Sequence, residues 1–410
     1  MSSDLGRSLG DICGAVRQAA PADRVAGSLP DLVVSPATTS ELSAIVRRLT
    51  EGGHTLAVVG AGTALAFGHS PRPIEVVVST SRLDRILEHS PGDLHVSVEA
   101  GVRLSTLQKQ LGADRQRLSL DPPDDGTVGG IVASNGTGPL RHRFGGPRDL
   151  LIGVTLVLAD GTLARAGGKV VKNVAGYDLC KLMTGSFGTL AVIAAATLRV
   201  HPLPRASAAL RHPVESPAEV GELIRGYARE KVEPSAIELT YDLAAGAGAV
   251  EATLEGTPEG VAARLDRVRT ALGGAAPEDD KAADASGADD FVVGLAVPPA
   301  AVTEVLTALA TSGLPGRVTG RVGLGVLELT LPGAGIDGQA GTPGPVAAVG
   351  VARRLAEAHQ GSAIVARVAD DLRPHLDLWG PVRGLDIMRR IKEQFDPTGT
   401  FVPGRFVGGI

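Results

Sequence analysis

The sequence predicts an α+β protein with a larger N-terminal region and a smaller α+β domain, and three observations predict it. Apolar strand-like runs interleave with helical segments up to about residue 203. The composition shifts after His201-Pro202-Leu203-Pro204, and from there to about residue 368 strand and helix patterns alternate irregularly. Hydrophobic residues make up 43% of the 410, enough for a substantial core, so disorder is excluded for most of the length.

In order along the chain, residues 1–28 read as a leading helix and connector, and Leu32-Val33-Val34 as a short strand. Ser40 is a good N-cap for a helix from Glu41 to about Glu51, which Gly52-Gly53 would end. Strands follow at 56–59, 74–78 and 95–99, a helix at about 104–111, and then a long Gly-rich stretch over 126–153. A strand at 153–158 leads into the turn Ala159-Asp160-Gly161. In the smaller domain, strands are expected at 235–241, 248–254, 291–297, 316–322, 326–331 and 362–367. Helices are expected there at 258–272, 299–311 and 346–359, with loops at 273–290 and 332–345. A basic helix around 385–395 opens the tail.

Composition narrows the function. A net charge of −5 and 3% aromatics give neither the basic face nor the stacking platforms of a nucleic-acid binder. Cys13 and Cys180 are the only cysteines, too few for a metal cluster or a disulfide framework, which fits a reducing cytoplasm. Residues 1–20 carry Asp4, Arg7, Asp11 and Arg17 and lack the apolar region of a signal peptide. No apolar run reaches membrane-spanning length.

Four segments carry the chemistry. In Val58-Val59-Gly60-Ala61-Gly62-Thr63-Ala64 a strand runs into glycines, whose missing Cβ atoms let backbone N–H groups close on a pyrophosphate. A nicotinamide fingerprint fails here. Its third glycine would fall on Leu65, and Pro71 and Pro73 leave no room for the crossover helix. Any phosphate is therefore held without a helix dipole. The second segment is Thr127-Val128-Gly129-Gly130-Ile131-Val132-Ala133-Ser134-Asn135-Gly136, with small residues where the backbone approaches something closely. Arg148-Asp149 before a strand is the third. The fourth is Lys169-Val170-Val171-Lys172-Asn173-Val174-Ala175-Gly176-Tyr177-Asp178-Leu179 followed by Gly185-Ser186-Phe187-Gly188-Thr189-Leu190-Ala191-Val192-Ile193. Taken singly, each also reads as a structural turn, a surface lysine pair or a core strand.

Taken together, their order and spacing resemble the FAD-binding domain of the vanillyl-alcohol-oxidase-like (PCMH-type) flavoproteins. The tail Phe395-Asp396-Pro397-Thr398-Gly399-Thr400-Phe401-Val402-Pro403-Gly404-Arg405 is similar to the end of FAD-linked oxidases. The segment 172–179 points within that class to the glycolate oxidase group, and to its FAD-binding subunit. The resemblance is dense over about 30–203 and returns at about 385–406. It implies an FAD-binding domain of two α/β lobes over 1–203, an α+β cap over 204–375, and a tail, 376–410, that returns to the FAD domain.

The resemblance also implies site residues. Gly60, Ala61, Gly62, Thr63 and Ala64 would wrap the pyrophosphate. Thr127, Gly129, Gly130, Ser134 and Asn135 would line the flavin side, and Gly188 and Val192 the adenine end. FAD carries the redox chemistry in such proteins while the protein supplies position and electrostatics. Positions 60–64 hold no histidine, so the FAD is expected to be noncovalent.

Departures from the family bear on function. Relatives that oxidise 2-hydroxy acids carry His-x-His and Gly-Glu-His-Gly motifs in the cap. Here only His212, His359 and His375 follow residue 203, none beside a glutamate, and the tail has Val402-Pro403-Gly404-Arg405 in place of Asn-Pro-Gly-Lys. No catalytic or metal-binding residue is therefore assigned. The resemblance implies an electron-transferring subunit beside a catalytic flavoprotein and an iron–sulfur protein, acting on a small 2-hydroxy acid in the cytoplasm or at the inner face of the cell membrane. The alternatives are an autonomous FAD-dependent dehydrogenase and a non-redox assembly subunit. Lys169, Lys172, Tyr177, Asp178, Trp379, Cys180 and the basic cluster Arg141-His142-Arg143 all have ordinary structural readings and receive no role.

Overall fold

The structure is a computed structural model, and it describes residues 2–168, 177–275, 290–332 and 344–410. Lys169, Lys172 and most of the segment 169–179 lie outside the described residues, as do most of the loops expected at 273–290 and 332–345. The chain divides into two compact units. The first comprises 1–138, 145–203 and 382–410; the second comprises 139–144 and 204–381.

Eighteen strands are described: β1 (Val16–Gln18), β2 (Leu32–Val34), β3 (Leu56–Val59), β4 (Val76–Ser79), β5 (Ile86–Ser90), β6 (His95–Glu99), β7 (Gln116–Arg117), β8 (Leu151–Val157), β9 (Leu163–Gly167), β10 (Val192–Arg199), β11 (His201–Pro202), β12 (Ala206–Val214), β13 (Ala236–Asp242), β14 (Ala247–Gly256), β15 (Phe291–Ala296), β16 (Arg317–Arg321), β17 (Val326–Leu331) and β18 (Ser362–Arg367).

Besides the two-stranded ribbon of β7 and β11, the first unit holds two sheets. The smaller has the order β1-β2-β4-β3, with β2 and β3 both parallel to β4. Helix Thr39–Glu51 makes the crossover between β2 and β3. Its Leu42, Ile45, Val46 and Leu49 are fully buried, the 3.6-residue stripe of a helix lying on a sheet. The cap is Thr38, not Ser40. The Thr38 hydroxyl accepts the Glu41 N–H at 3.1 Å while the Glu41 carboxylate accepts the Ala37 N–H at 2.8 Å, so two orphan donors are satisfied two residues before the expected start. No helix follows β3. Residues 60–75 run as an irregular loop into β4, as the two prolines require.

The larger sheet, β5-β6-β10-β8-β9, is antiparallel throughout. Helices Leu104–Gly112 and Val128–Ser134 contribute to the apolar core on this sheet. The second of these helices lies in the Gly-rich stretch 126–153, where no helix is expected. Two adjacent glycines cost helix stability, but Thr127 caps the start by accepting the Gly130 N–H at 3.2 Å, and burial of Val128, Ile131 and Val132 supplies the rest. After the basic helix Leu385–Phe395, the tail forms a parallel bridge from Phe401 to Leu56 on β3.

The second unit is a seven-stranded antiparallel sheet, β12-β14-β13-β16-β17-β15-β18, with helices Pro217–Arg229, Pro258–Leu272, Val302–Ala310 and Pro345–Ala358. All six expected strands and three expected helices of this region are present. β12 and helix Pro217–Arg229 were not expected. Trp379 is 9% exposed and belongs to this unit's interior. Pro139–Phe144 belongs to this unit too. Arg143 there donates to the Glu233 carbonyl at 3.2 Å, and burial pushes His142 below the usual imidazole range.

Candidate cofactor site

β3 ends where its backbone opens into an irregular loop, and a cavity of the first unit lies there. It is walled by Val58–Leu65, Thr80, Ala100, Gly129, Gly130, Ala133, Ser134, Phe187, Gly188, Ala191, Ile193 and Arg405. The wall is mostly backbone and methyl groups, with hydroxyls from Thr63, Thr80 and Ser134 and one charged side chain, Arg405.

Nine of the twelve positions singled out from the sequence line this one cavity: Gly60, Ala61, Gly62, Thr63, Ala64, Gly129, Gly130, Ser134 and Gly188. Segments separated by more than a hundred residues thus meet around one space. Thr127 lines an adjoining hollow that shares Gly60 and Ala61 with the first and adds Ser81, Asp84, Gly101, Val102, Arg103 and Thr106. The other two positions line neither. Asn135 ends helix Val128–Ser134 in the left-handed conformation (φ 54°), a place Asn takes more readily than most residues. Val192 is fully buried in the core with Leu32, Val34 and Phe401. Strand alternation turns Ala191 and Ile193 to the cavity instead, so Val192 can offer a ligand only its backbone.

The glycines divide into two kinds. Gly60 and Gly129 are fixed by packing: a Cβ on Gly60 would stand 2.0 Å from the Thr127 hydroxyl, and one on Gly129 would stand 2.6 Å from Ala100 Cβ. Gly62 and Gly188 are different. Both have positive φ (82° and 69°), and a Cβ would meet protein no closer than Leu65 at 3.4 Å or Val58 at 4.0 Å. Both line the cavity, and a Cβ at either would make only ordinary contacts with the protein. An acyclic phosphate chain approaching bare backbone requires such a wall, and the single cationic side chain matches its charge.

Sequence reasoning missed Phe187 and Arg405. Phe187 stacks on Phe67 (ring centroids 4.8 Å apart, planes at 11°), and its ring centroid lies 5.6 Å from that of Phe406. It holds a left-handed backbone conformation (φ 52°), a strained state for a bulky residue and the kind that collects at ligand sites. Arg405 lies in the tail, where it stands at the lysine position of Asn-Pro-Gly-Lys.

The remaining singled-out residues have structural roles. Asp178 caps helix Leu179–Met183, accepting the Lys181 N–H at 3.1 Å, whereas Tyr177 is 94% exposed rather than packed. Cys180 is buried in the core of the larger sheet, and burial, with Asp178 adding to it, pushes its thiol up to about 11. Arg148-Asp149 lies in the short helix Pro147–Leu150, where the Asp149 carboxylate accepts the Gly146 N–H at 2.8 Å. His212 shares a 2.8 Å hydrogen bond with the Tyr227 hydroxyl, and His359 stands 3.6 Å from Glu304. Among the described residues no three His, Cys, Asp or Glu side chains are grouped to hold a metal, and no helix is long and apolar enough to cross a membrane.

Residues 30–167 match the family described as FAD binding domain. The chain is 32% identical over 216 residues to glycolate oxidase subunit GlcD of Bacillus subtilis, covering 52% of this chain and 45% of that protein. It is 35% identical over 211 residues to a D-lactate dehydrogenase of Archaeoglobus fulgidus (50% and 46% covered), and 38% identical over 143 residues to glycolate oxidase subunit GlcE of Escherichia coli (33% and 41% covered). The chain thus spans less than half the length of these relatives. Among solved structures, alkyldihydroxyacetonephosphate synthase superposes with a TM-score of 0.66 over 91% of this chain and 77% of that one, at 17% identity, a likeness of fold. The match over residues 30–167, with these relatives, supports FAD as the cofactor of this chain.

Proposed function

We propose that this chain is the FAD-carrying, electron-transferring subunit of a complex that oxidises glycolate or a related 2-hydroxy acid. The observation that carries the reading is the convergence of Gly60–Ala64, Gly129-Gly130, Ser134 and Gly188 on one backbone-walled cavity with Arg405 as its cation. Bound FAD would supply the capacity to accept and pass on electrons. In this reading the chain's own residues bind and orient. The loop 60–64 receives the pyrophosphate, Thr63 and Ser134 offer hydroxyls, and Arg405 offsets negative charge. Phe67, Phe187 and Phe406 form an aromatic cluster beside it.

Oxidising a 2-hydroxy acid also requires a base for the hydroxyl proton and an anchor for the carboxylate. A positioned base contributes about 10²–10⁴-fold. Among the described residues the cavity wall contains no carboxylate and no imidazole, although Asp84 lines the adjoining hollow, and this supports assigning substrate chemistry to a partner flavoprotein. The 38% identity with a GlcE subunit supports the same assignment.

A second reading, an autonomous dehydrogenase, is favoured by relatives named D-lactate dehydrogenase. One experiment separates the two. Dithionite should bleach the flavin of the purified chain, while glycolate and D-lactate should leave it oxidised over minutes until a catalytic flavoprotein and an iron–sulfur partner are added. Rapid bleaching of the lone chain by either acid would establish the dehydrogenase.

A further inference from the structure

The C-terminal segment is fastened to both sides of the cofactor cavity. Leu56 donates its N–H to the Thr400 carbonyl at 2.8 Å, and Val402 donates to the Leu56 carbonyl at 2.9 Å, so the tail runs beside β3. Further on, Arg72 donates to the Pro403 carbonyl at 2.8 Å and His69 to the Arg405 carbonyl at 3.0 Å. On the other side, Lys392 Nζ donates to the Thr189 carbonyl at 2.7 Å, next to Gly188, and to the Phe401 carbonyl at 2.9 Å. Asp396 holds that ammonium at 2.6 Å and accepts the N–H groups of Thr400 and Phe401 at 2.9 and 2.8 Å.

Arg405 is the innermost point of this attachment. It is 5% exposed, its Nε donates to the Phe67 carbonyl at 3.0 Å, and its Nη2 donates to the Ala64 carbonyl at 2.5 Å with Leu65 at 3.4 Å. Its guanidinium also lies 5.9 Å from the Phe187 ring centre. The loop it grips has no sheet ladder or helix to define it. Left-handed glycines at 62 and 68 let it turn, and the same freedom costs entropy when it is ordered. A planar fork that binds several carbonyls of one loop limits that freedom, and a lysine ammonium cannot reproduce the geometry.

We propose that Arg405 is a positioning residue for the cofactor. By holding the carbonyls of Ala64, Leu65 and Phe67 it sets the shape of loop 60–68 before FAD arrives, and the segment 396–405 is the latch that brings it there. The inference rests on the reading that this cavity holds FAD. A preshaped loop binds more tightly because less order is imposed on binding.

The test compares the full chain, stripped of flavin, with its R405M and R405K variants. Flavin fluorescence quenching gives the FAD dissociation constant, and hydrogen exchange of the free protein gives loop order. R405M should raise the dissociation constant at least about tenfold, the size expected for one charge-assisted hydrogen bond. R405K should recover only part of this. Exchange should quicken in peptides spanning 60–72 while those from β6, β8 and β10 keep wild-type protection. Wild-type affinity in R405M overturns the proposal. So does weakened affinity with faster exchange across the whole unit, which marks general destabilisation. If the wild-type chain itself binds no FAD, the cavity assignment fails instead, and that outcome is distinct from both.

Discussion

Replacing Gly62 with valine tests the cofactor loop while sparing the rest of the fold. Gly62 has φ 82°, where an L-residue costs roughly 1–2 kcal/mol and a β-branched one sits at the upper end. A Cβ there would meet only Leu65 Cδ1, at 3.4 Å, an ordinary contact, so steric cost on the protein side is small. About 2 kcal/mol over a unit of roughly 200 residues lowers Tm by about 4–8 °C, which the folded unit should survive. The ligand is affected far more. The valine adds a side chain at the wall of the cavity, against which phosphate oxygens would lie. A loss of about 3 kcal/mol, over a hundredfold in affinity, is expected. The assay is the ratio of flavin absorbance to protein after gel filtration, beside a thermal melt of the stripped chain. Gly60→Ala is the contrasting variant. Its methyl group would press to 2.0 Å from the Thr127 hydroxyl and disturb the cap of helix Val128–Ser134, so stability and flavin should fall together. A Gly62→Val protein that retains one flavin per chain would refute the placement of the phosphate loop.

Three other outcomes are expected. Acid precipitation should release all yellow colour to the supernatant, because among the described residues the cavity wall offers no histidine, cysteine or tyrosine for attachment; colour in the pellet would contradict this. In a Cys13→Ser background the Cys180 thiol should react with a thiol reagent at pH 8 only after denaturation. Because folding raises its pKa to about 11, it adds stability below the unfolded value of about 8.5, and that stability disappears as pH rises toward 11; fast labelling of the native chain would show the site to be open. Asp396→Ala should cost about 3 kcal/mol in a denaturant titration, since it strands the half-buried Lys392 ammonium and two backbone N–H groups. Adding Lys392→Met should restore part of that loss, and a single-variant cost under about 1 kcal/mol would show the pair to be dispensable.

The sequence alone determined most of the elements and singled out loop 60–64 as the candidate phosphate loop, because both depend on local chemistry. Apolar periodicity set the six expected strands and three helices of the second unit, and two prolines ruled out a crossover helix after β3. Local chemistry also misled where neighbours in sequence competed. Ser40 and Thr38 are both competent caps, and the choice between them follows from where Glu41 can reach back to Ala37. Gly129-Gly130 looks like loop, yet burial of the apolar residues around it makes helix, a tertiary effect overriding a propensity of about 1 kcal/mol per glycine.

Only the tertiary structure decided which residues share the cavity. At the start of β10, Val192 packs in one core cluster while Ile193 and Ala191, just before the strand, pack in another and line the cavity. The sequence shows that these residues alternate, but the register against β6 and β8 selects the face. Arg405 is a cation among many in the sequence. It becomes part of the site because a parallel bridge from Phe401 to Leu56, some 345 residues apart by subtraction, lays the tail along β3, and long-range contacts of that kind leave no local pattern to read.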